Sequence, residues 1–428
     1  MAAAKIVLVG AGSIVFGLRL VGDLCATEGV RGSELVLVDI DTDRLELVSI
    51  LAKRLIEETG ADLRLSSCTD FREALPGADF VISTVAQGGW DAWLNDVAIP
   101  RKFGYYYAVG DTMGPGGMAR AFRTIPIVLD IAKYMEKVCP NALLINYSNP
   151  MTAICRAVQK YTSIKIIGLC HGLQNTVRRI APRIGYQAED VQAWAAGVNH
   201  FIWLTSLLDR SGRDLYPVLK RHARENWEVQ PLAYDLLELY GLFVSGGDDH
   251  IVEFMPEYAS PDCVEKYMLD MDYVQKAVDH QQQEIAELRR LASDENKRVS
   301  DFITGSAESA AEIIDCLTNK KTELFMANVR NEGKIPGLPY DAVVEVPCVT
   351  TPSGLKGIMV DPLPSGVLGR IQTCLSEYEL VVDAAVLKDR KLAVQAMLVC
   401  PATTSRERAE GVVDAMLAAN KQYIGDFR

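Results

Sequence analysis

Cys170, in the run Gly168-Leu169-Cys170-His171-Gly172, and His200, closing Gly197-Val198-Asn199-His200, are the residues whose chemistry stands out first. A thiolate and an imidazole from two separated segments can hold one borderline divalent ion while leaving coordination positions open for a substrate, as a catalytic metal needs. Taken singly, a buried cysteine is a small core hydrophobe and a histidine an ordinary hydrogen-bonding side chain. The pair therefore takes its meaning from its surroundings. Gly10-Ala11-Gly12-Ser13 follows the apolar run Ile6-Val7-Leu8-Val9 and leads into a helical pattern through Phe16, Leu20 and Leu24. Glycines at 10 and 12 let the backbone turn sharply and approach a pyrophosphate, whose charge meets the N–H groups that open the helix. Asp39 stands at the tip of the next apolar run, Glu34 to Val38, where a carboxylate binds ribose hydroxyls and repels a 2′-phosphate, favouring NAD over NADP. The third glycine of this fingerprint is expected at position 15, which is Val15; Gly17 comes two residues late. Together the two signals point to a metal placed beside a nicotinamide cofactor.

These residues must be held by alternating strands and helices. Buried-type apolar runs recur at 6–9, 34–38, 80–84, 142–146 and 165–169, with helical patterns between them, notably 43–58 and 125–138. Such βαβ units predict an α/β fold with an N-terminal Rossmann-type doubly wound parallel sheet and its ligand at the carboxyl ends of the strands. After about residue 195 helical patterns dominate, at 273–292, 305–317, 377–399 and 406–421, broken by a short strand at 343–347. This predicts two domains, 1–195 for NAD and 196–428 as a mixed α+β, largely helical catalytic and oligomerisation domain, the plan of lactate and malate dehydrogenases. No internal repeat or low-complexity tract interrupts it.

A chain of 428 residues, 49% hydrophobic and 23% charged, can bury more than one core. Its net charge of −12 and pI near 5.1 make a phosphate backbone an electrostatically repulsive partner, which argues against nucleic acid. The ten cysteines are scattered without secreted-type spacing or a CxxC pair, as expected of a reducing cytoplasm. The start, Met1 to Val9, lacks the pattern of a signal peptide, and no apolar run reaches membrane-spanning length.

Read in order, several segments together resemble glycoside hydrolase family 4, the NAD- and metal-dependent glycosidases. They are Gly10-Ala11-Gly12-Ser13, Val109-Gly110-Asp111-Thr112 with Gly114-Pro115-Gly116-Gly117, Asn146-Tyr147-Ser148-Asn149-Pro150, Cys170-His171-Gly172, Gly197-Val198-Asn199-His200, and Val343-Val344-Glu345-Val346-Pro347. The resemblance implies that Cys170 and His200 bind the metal, usually manganese. It also implies a reaction in which NAD⁺ oxidises the sugar at C3, a base removes the C2 proton, the aglycone is eliminated, water adds and NADH returns the hydride. His171 and Asp111 are the candidates for leaving-group acid. The family's tyrosine base has no counterpart in Tyr240 to His250, which leaves Asp248 and then His250 for that role; capping a helix is the other use of Asp248. Asn149, Asn199 and Arg120 are candidate sugar contacts, with Arg123 and Arg330 as further cations for a carboxylate. No compact Arg/Lys cluster lies beside these motifs, so an unphosphorylated α-glycoside is expected. The segment from Gly246 to Phe254 looks closest to the α-galacturonidase and α-glucuronidase branch, with α-galactosidase and α-glucosidase as alternatives. The resemblance further implies a homodimer or homotetramer. A 2-hydroxy-acid dehydrogenase and a non-catalytic NAD sensor are the rival readings; neither needs Cys170 and His200.

Overall fold

The computed structural model describes residues 3–303, 306 and 308–428. Its eleven strands are β1 (Lys5–Val9), β2 (Ser33–Val38), β3 (Leu63–Cys68), β4 (Phe80–Ser83), β5 (Leu143–Asn146), β6 (Lys165–Gly168), β7 (Val191–Val198), β8 (Phe201–Asp209), β9 (Leu324–Arg330), β10 (Val343–Thr351) and β11 (Gly354–Gly357). The first six pair in parallel in the order β3-β2-β1-β4-β5-β6, the doubly wound Rossmann arrangement. β1 and β4 are buried almost throughout because helices cover both faces, which is why their sequences read as unbroken apolar runs.

The sheet then changes direction. β6 meets β9 antiparallel at a single pair, Gly168 with Asn328; β9 runs antiparallel to β10, and β10 meets β7 at Glu345 and Gly197. β8 closes the edge as a hairpin partner of β7. The expected boundary after residue 195 falls inside β7. The 191–209 hairpin gave little signal because its first strand is rich in alanine and poor in β-branched residues.

Three helical expectations change. The helix expected from 125 begins at Gly114 and runs to Val138. Its glycines permit contact: a Cβ on Gly116 would lie 2.4 Å from the Gly110 carbonyl oxygen, and one on Gly117 would lie 2.4 Å from the Thr112 backbone. The helix expected over 377–399 is two, Ser365–Leu387 and Arg390–Val399. They are parted by Lys388 in the left-handed region and by Asp389, whose side chain caps the second. The helix expected over 305–317 is Ala310–Thr318; Gly305, where it was to begin, lies outside the described residues. No helix among the described residues is long and apolar enough to cross a membrane.

The C-terminal helices 365–387 and 406–424 pack on helix 114–138. Arg123, from that helix, is buried and donates to Asp96 at 2.9 Å and to Asn420 at 2.6 Å. This removes Arg123 from the cations available to a substrate. Truncating one member of a buried ion pair leaves an uncompensated charge and costs about 3–5 kcal/mol. Asp96→Ala is therefore expected to lower the unfolding free energy by about that amount, read by urea denaturation; a loss near zero would show that Arg123 finds another partner.

Candidate active site

Four candidate groups of the nucleotide half lie just past the end of a parallel strand; Asp111 and Arg120 come instead from the loop before helix Gly114–Val138 and from that helix. Gly10 follows β1, Asp39 follows β2, Asn149 comes three residues after β5, and Cys170 two after β6. The turn at 10–13 is locked by N–H bonds from Gly10 and Ala11 to the Val38 carbonyl, at 2.8 and 3.0 Å. Gly10 has φ +91°, and a Cβ there would meet Thr84 at 2.8 Å. The late glycine has a clear purpose. A Cβ on Gly17 would lie 2.0 Å from the Ala11 carbonyl oxygen, so the first helix, Gly17–Ala26, packs on the turn only with glycine at that place. That helix starts without a side-chain cap; the Gly17 N–H donates to the Ser13 carbonyl at 2.8 Å, and the Leu18 and Arg19 N–H groups are left to an anion. Asp39 also accepts the Gly12 N–H at 2.8 Å, fixing the loop.

The second centre gathers Asp111, His200 and His250, whose donor atoms all lie within 4.8 Å of one another. Asn199 and His200 form the two-residue turn of the β7–β8 hairpin, and His200 sits at φ +66°, a conformation a non-glycine residue adopts at a cost. Thr112 links two members. Its hydroxyl donates to Asp111 Oδ1 at 2.6 Å, and its oxygen lies 3.0 Å from His200 Nδ1. Since a hydroxyl has one hydrogen to give, Nδ1 must be the donor in the second bond. The Nε2 lone pair of His200 is thereby left for a cation. Burial and the neighbouring His250 push the His200 pKa down to about 4, so the imidazole is neutral. Burial likewise lowers His250, whose Nδ1 is buried without a hydrogen-bond partner. Burial would raise Asp111, but the Arg120 guanidinium and the Thr112 hydroxyl bond oppose it, and its carboxyl lies below the ordinary value. A carboxylate and neutral imidazoles suit a divalent ion, and the partnerless Nδ1 is what an unpaired proton acceptor would show.

Around this centre the expected contacts assemble unevenly. Asn149 Nδ2 donates to Asp111 Oδ2 at 3.1 Å, and Arg120 lies 3.9 Å from the same oxygen while covering Trp93. Asn199 Nδ2 donates to the buried Glu345 at 3.2 Å. The carbonyl oxygens of both asparagine side chains are buried and unpartnered. Cys170 does not join the compact trio; burial and then Glu345 push its thiol well above the ordinary range. His171 faces Glu308, which accepts from Nδ1 and, against burial, raises the imidazole above its ordinary value. Asp248 turns away from the centre. Its carboxylate accepts from Leu232 and Ala233 N–H at 3.0 and 3.1 Å and so caps helix Pro231–Tyr240. Arg330 covers Tyr340.

Sequence reading missed four residues: Thr112, Glu253, Glu308 and Tyr273. The last has its ring centroid 6.0 Å from that of His250. Thr112 and Glu253 stood inside segments singled out in the sequence; Glu308 and Tyr273 meet the site from more than twenty residues away in sequence and carried no signal.

The family model described as family 4 glycosyl hydrolase matches residues 5–185, and that of its C-terminal domain matches 195–403. The chain is 30% identical to an α-galactosidase of Bacillus subtilis, over 99% of this chain and all of the relative. It is also 30% identical to an α-galacturonidase of Thermoanaerobacterium saccharolyticum, over 99% and 97%. A 6-phospho-α-glucosidase from gut microorganisms, solved in complex with NAD and Mn²⁺, covers all of both chains with a TM-score of 0.86 at 23% identity, a likeness of fold.

The His171–Glu308 contact has a measurable consequence. Glu308→Gln removes the carboxylate that retains the imidazole proton, so the His171 midpoint is expected to fall towards about 6.5. Because the native pair holds a proton that the unfolded chain releases, its stabilising effect is complete below about pH 6.5 and is lost as pH climbs through the raised value. NMR titration of histidine-labelled protein checks this; an unchanged midpoint in the variant would remove Glu308 as the cause.

Proposed function

We propose that this chain, which belongs to the family 4 glycosyl hydrolases, hydrolyses an unphosphorylated α-linked galacturonide or glucuronide with the help of NAD and a divalent cation, manganese by preference. The observation that carries the reading is the Thr112 relay: it frees His200 Nε2 beside the charged Asp111, at the same sheet edge that bears the glycine turn. The full-length relatives named α-galacturonidase and α-galactosidase support the α-glycoside, and the neighbour solved with NAD and Mn²⁺ supports the cofactors.

The Gly10–Ser13 turn and the uncapped helix at Gly17 would hold the pyrophosphate, and Asp39 the ribose. Cys170 and His200, with Asp111, would hold the cation; Cys170 is assigned by the family resemblance. When bound, the nicotinamide supplies a reversible hydride acceptor and the cation a Lewis acid that makes the sugar's C2 proton more acidic. The chain's own residues then move protons. His250, neutral and with Nδ1 unpartnered, is the base for that proton, a role Asp248 cannot share while it caps a helix. His171, kept protonated by Glu308, gives its proton to the leaving oxygen; Asp111, held charged, has none to give near neutral pH. Asn149, Asn199 and Arg120 orient the sugar, and Arg120 faces the uronate carboxylate.

Two measurements test this. Release of p-nitrophenol from an α-galacturonide is expected to require NAD⁺ and Mn²⁺ together and to disappear in Cys170→Ala and in His200→Ala. Hydrolysis of the α-galactoside instead would correct the sugar, whereas silence on every glycoside with net NADH from a 2-hydroxy acid would sink the reading. Thr112→Val removes the hydroxyl that fixes the His200 tautomer, so Mn²⁺ affinity is expected to fall about 10–100-fold, read by calorimetry.

A further inference from the structure

Glu253 lies one helical turn beyond His250 on helix Asp248–Phe254, pointing into the protein and only 2% exposed. Its Oε1 accepts the Gly110 N–H at 2.8 Å, and its Oε2 accepts those of Thr112 and Met113, both at 3.0 Å. No cation pairs with it among the described residues; burial and then Asp111 push its carboxyl up, and the three peptide N–H bonds oppose that rise. Those amides belong to the loop whose side chains are Asp111 and Thr112, and that loop forms no helix or strand that would satisfy them otherwise. Gly110 is held from the other side as well, since its carbonyl oxygen lies where a Cβ of Gly116 would be. One carboxylate thus fastens the helix carrying His250 to the loop carrying Asp111 and the His200-orienting hydroxyl. A neighbouring buried acid, Glu377, accepts only the next free N–H, that of Gly114 at 2.8 Å, and holds none of the three amides bound to Glu253.

We propose that Glu253 is a positioning residue for the cation site: by clamping the 110–113 amides to the His250 helix, it sets the spacing of Asp111, His200 and His250. The proposal rests on the reading of Asp111 and His200 as cation ligands with the His250 base beside them. A purely structural acid would stabilise the protein without favouring one ligand over another. A positioning acid affects the cation selectively, because the glycine turn and Asp39 make no contact with it.

The test is calorimetric titration of Mn²⁺ into the NAD-loaded full chain, with NAD⁺ binding to the metal-free chain measured in parallel, for wild type, Glu253→Gln, Glu253→Asp and Glu377→Gln. The amide in Glu253→Gln keeps one acceptor oxygen but turns an NH₂ group against the remaining N–H donors. Mn²⁺ affinity is expected to fall about 10–100-fold, the range seen when groups that orient metal ligands are removed, with NAD⁺ affinity unchanged. Glu253→Asp, which keeps both acceptor oxygens but draws them back by one methylene, should fall between wild type and Gln, and it carries the test if the Gln variant does not fold. Glu377→Gln should lose stability while keeping Mn²⁺ affinity. Unchanged Mn²⁺ affinity in a folded Glu253 variant, or equal losses for Mn²⁺ and NAD⁺, would overturn the proposal. A wild-type chain that binds NAD⁺ but no Mn²⁺ would overturn the cation reading, and this proposal with it.

Discussion

The two halves of the sheet are joined through very few pairings, and a buried polar network lies at that seam. Gly168 pairs with Asn328 and Glu345 with Gly197; Glu345 accepts from Asn328 at 3.0 Å and from Asn199 at 3.2 Å. Burial pushes the Glu345 carboxyl up to about 7, and the two amide donors oppose that rise. A carboxyl sealed in this way tolerates little displacement, because each lost donor leaves a polar group unpaired in a low-dielectric interior. The parallel half, which carries the dinucleotide turn, is therefore held in fixed register with the hairpin that presents His200.

From this seam the chemistry unfolds in a consistent pattern. Acids beside the site are balanced by backbone or side-chain amides more than by cations: Glu253 by three N–H groups, Glu377 by one, Glu345 by two asparagines. Asp111 differs because it has charged and ionisable neighbours and remains ionised. The centre thus keeps one committed negative charge next to two neutral imidazoles. It can receive a cation without first releasing protons from histidine.

What the sequence made legible follows the range of each interaction. The strand, glycine turn and Asp39 are contiguous or nearly so, and their pattern is a direct imprint of a parallel sheet over a helix N-terminus. Even there Val15 misled, because helix packing is a requirement of backbone proximity, and Gly17 satisfies it two residues later. Asp248 was ambiguous because a carboxylate before an apolar run looks alike whether it caps a helix or takes a proton; in the fold it caps a different helix from its own. The roles of Glu253, inside a segment already singled out, and of Glu308 were not legible, since their partners lie 140 and 137 residues away. Contacts of that separation leave no local periodicity.

His200 occupies the one turn position where the chain accepts a positive φ to present an imidazole. Glycine or asparagine would rest there with less strain. Stability and function accordingly pull this residue in opposite directions. A population of variants selected for heat resistance alone would drift away from histidine at 200, and only selection that also demands turnover would hold it in place.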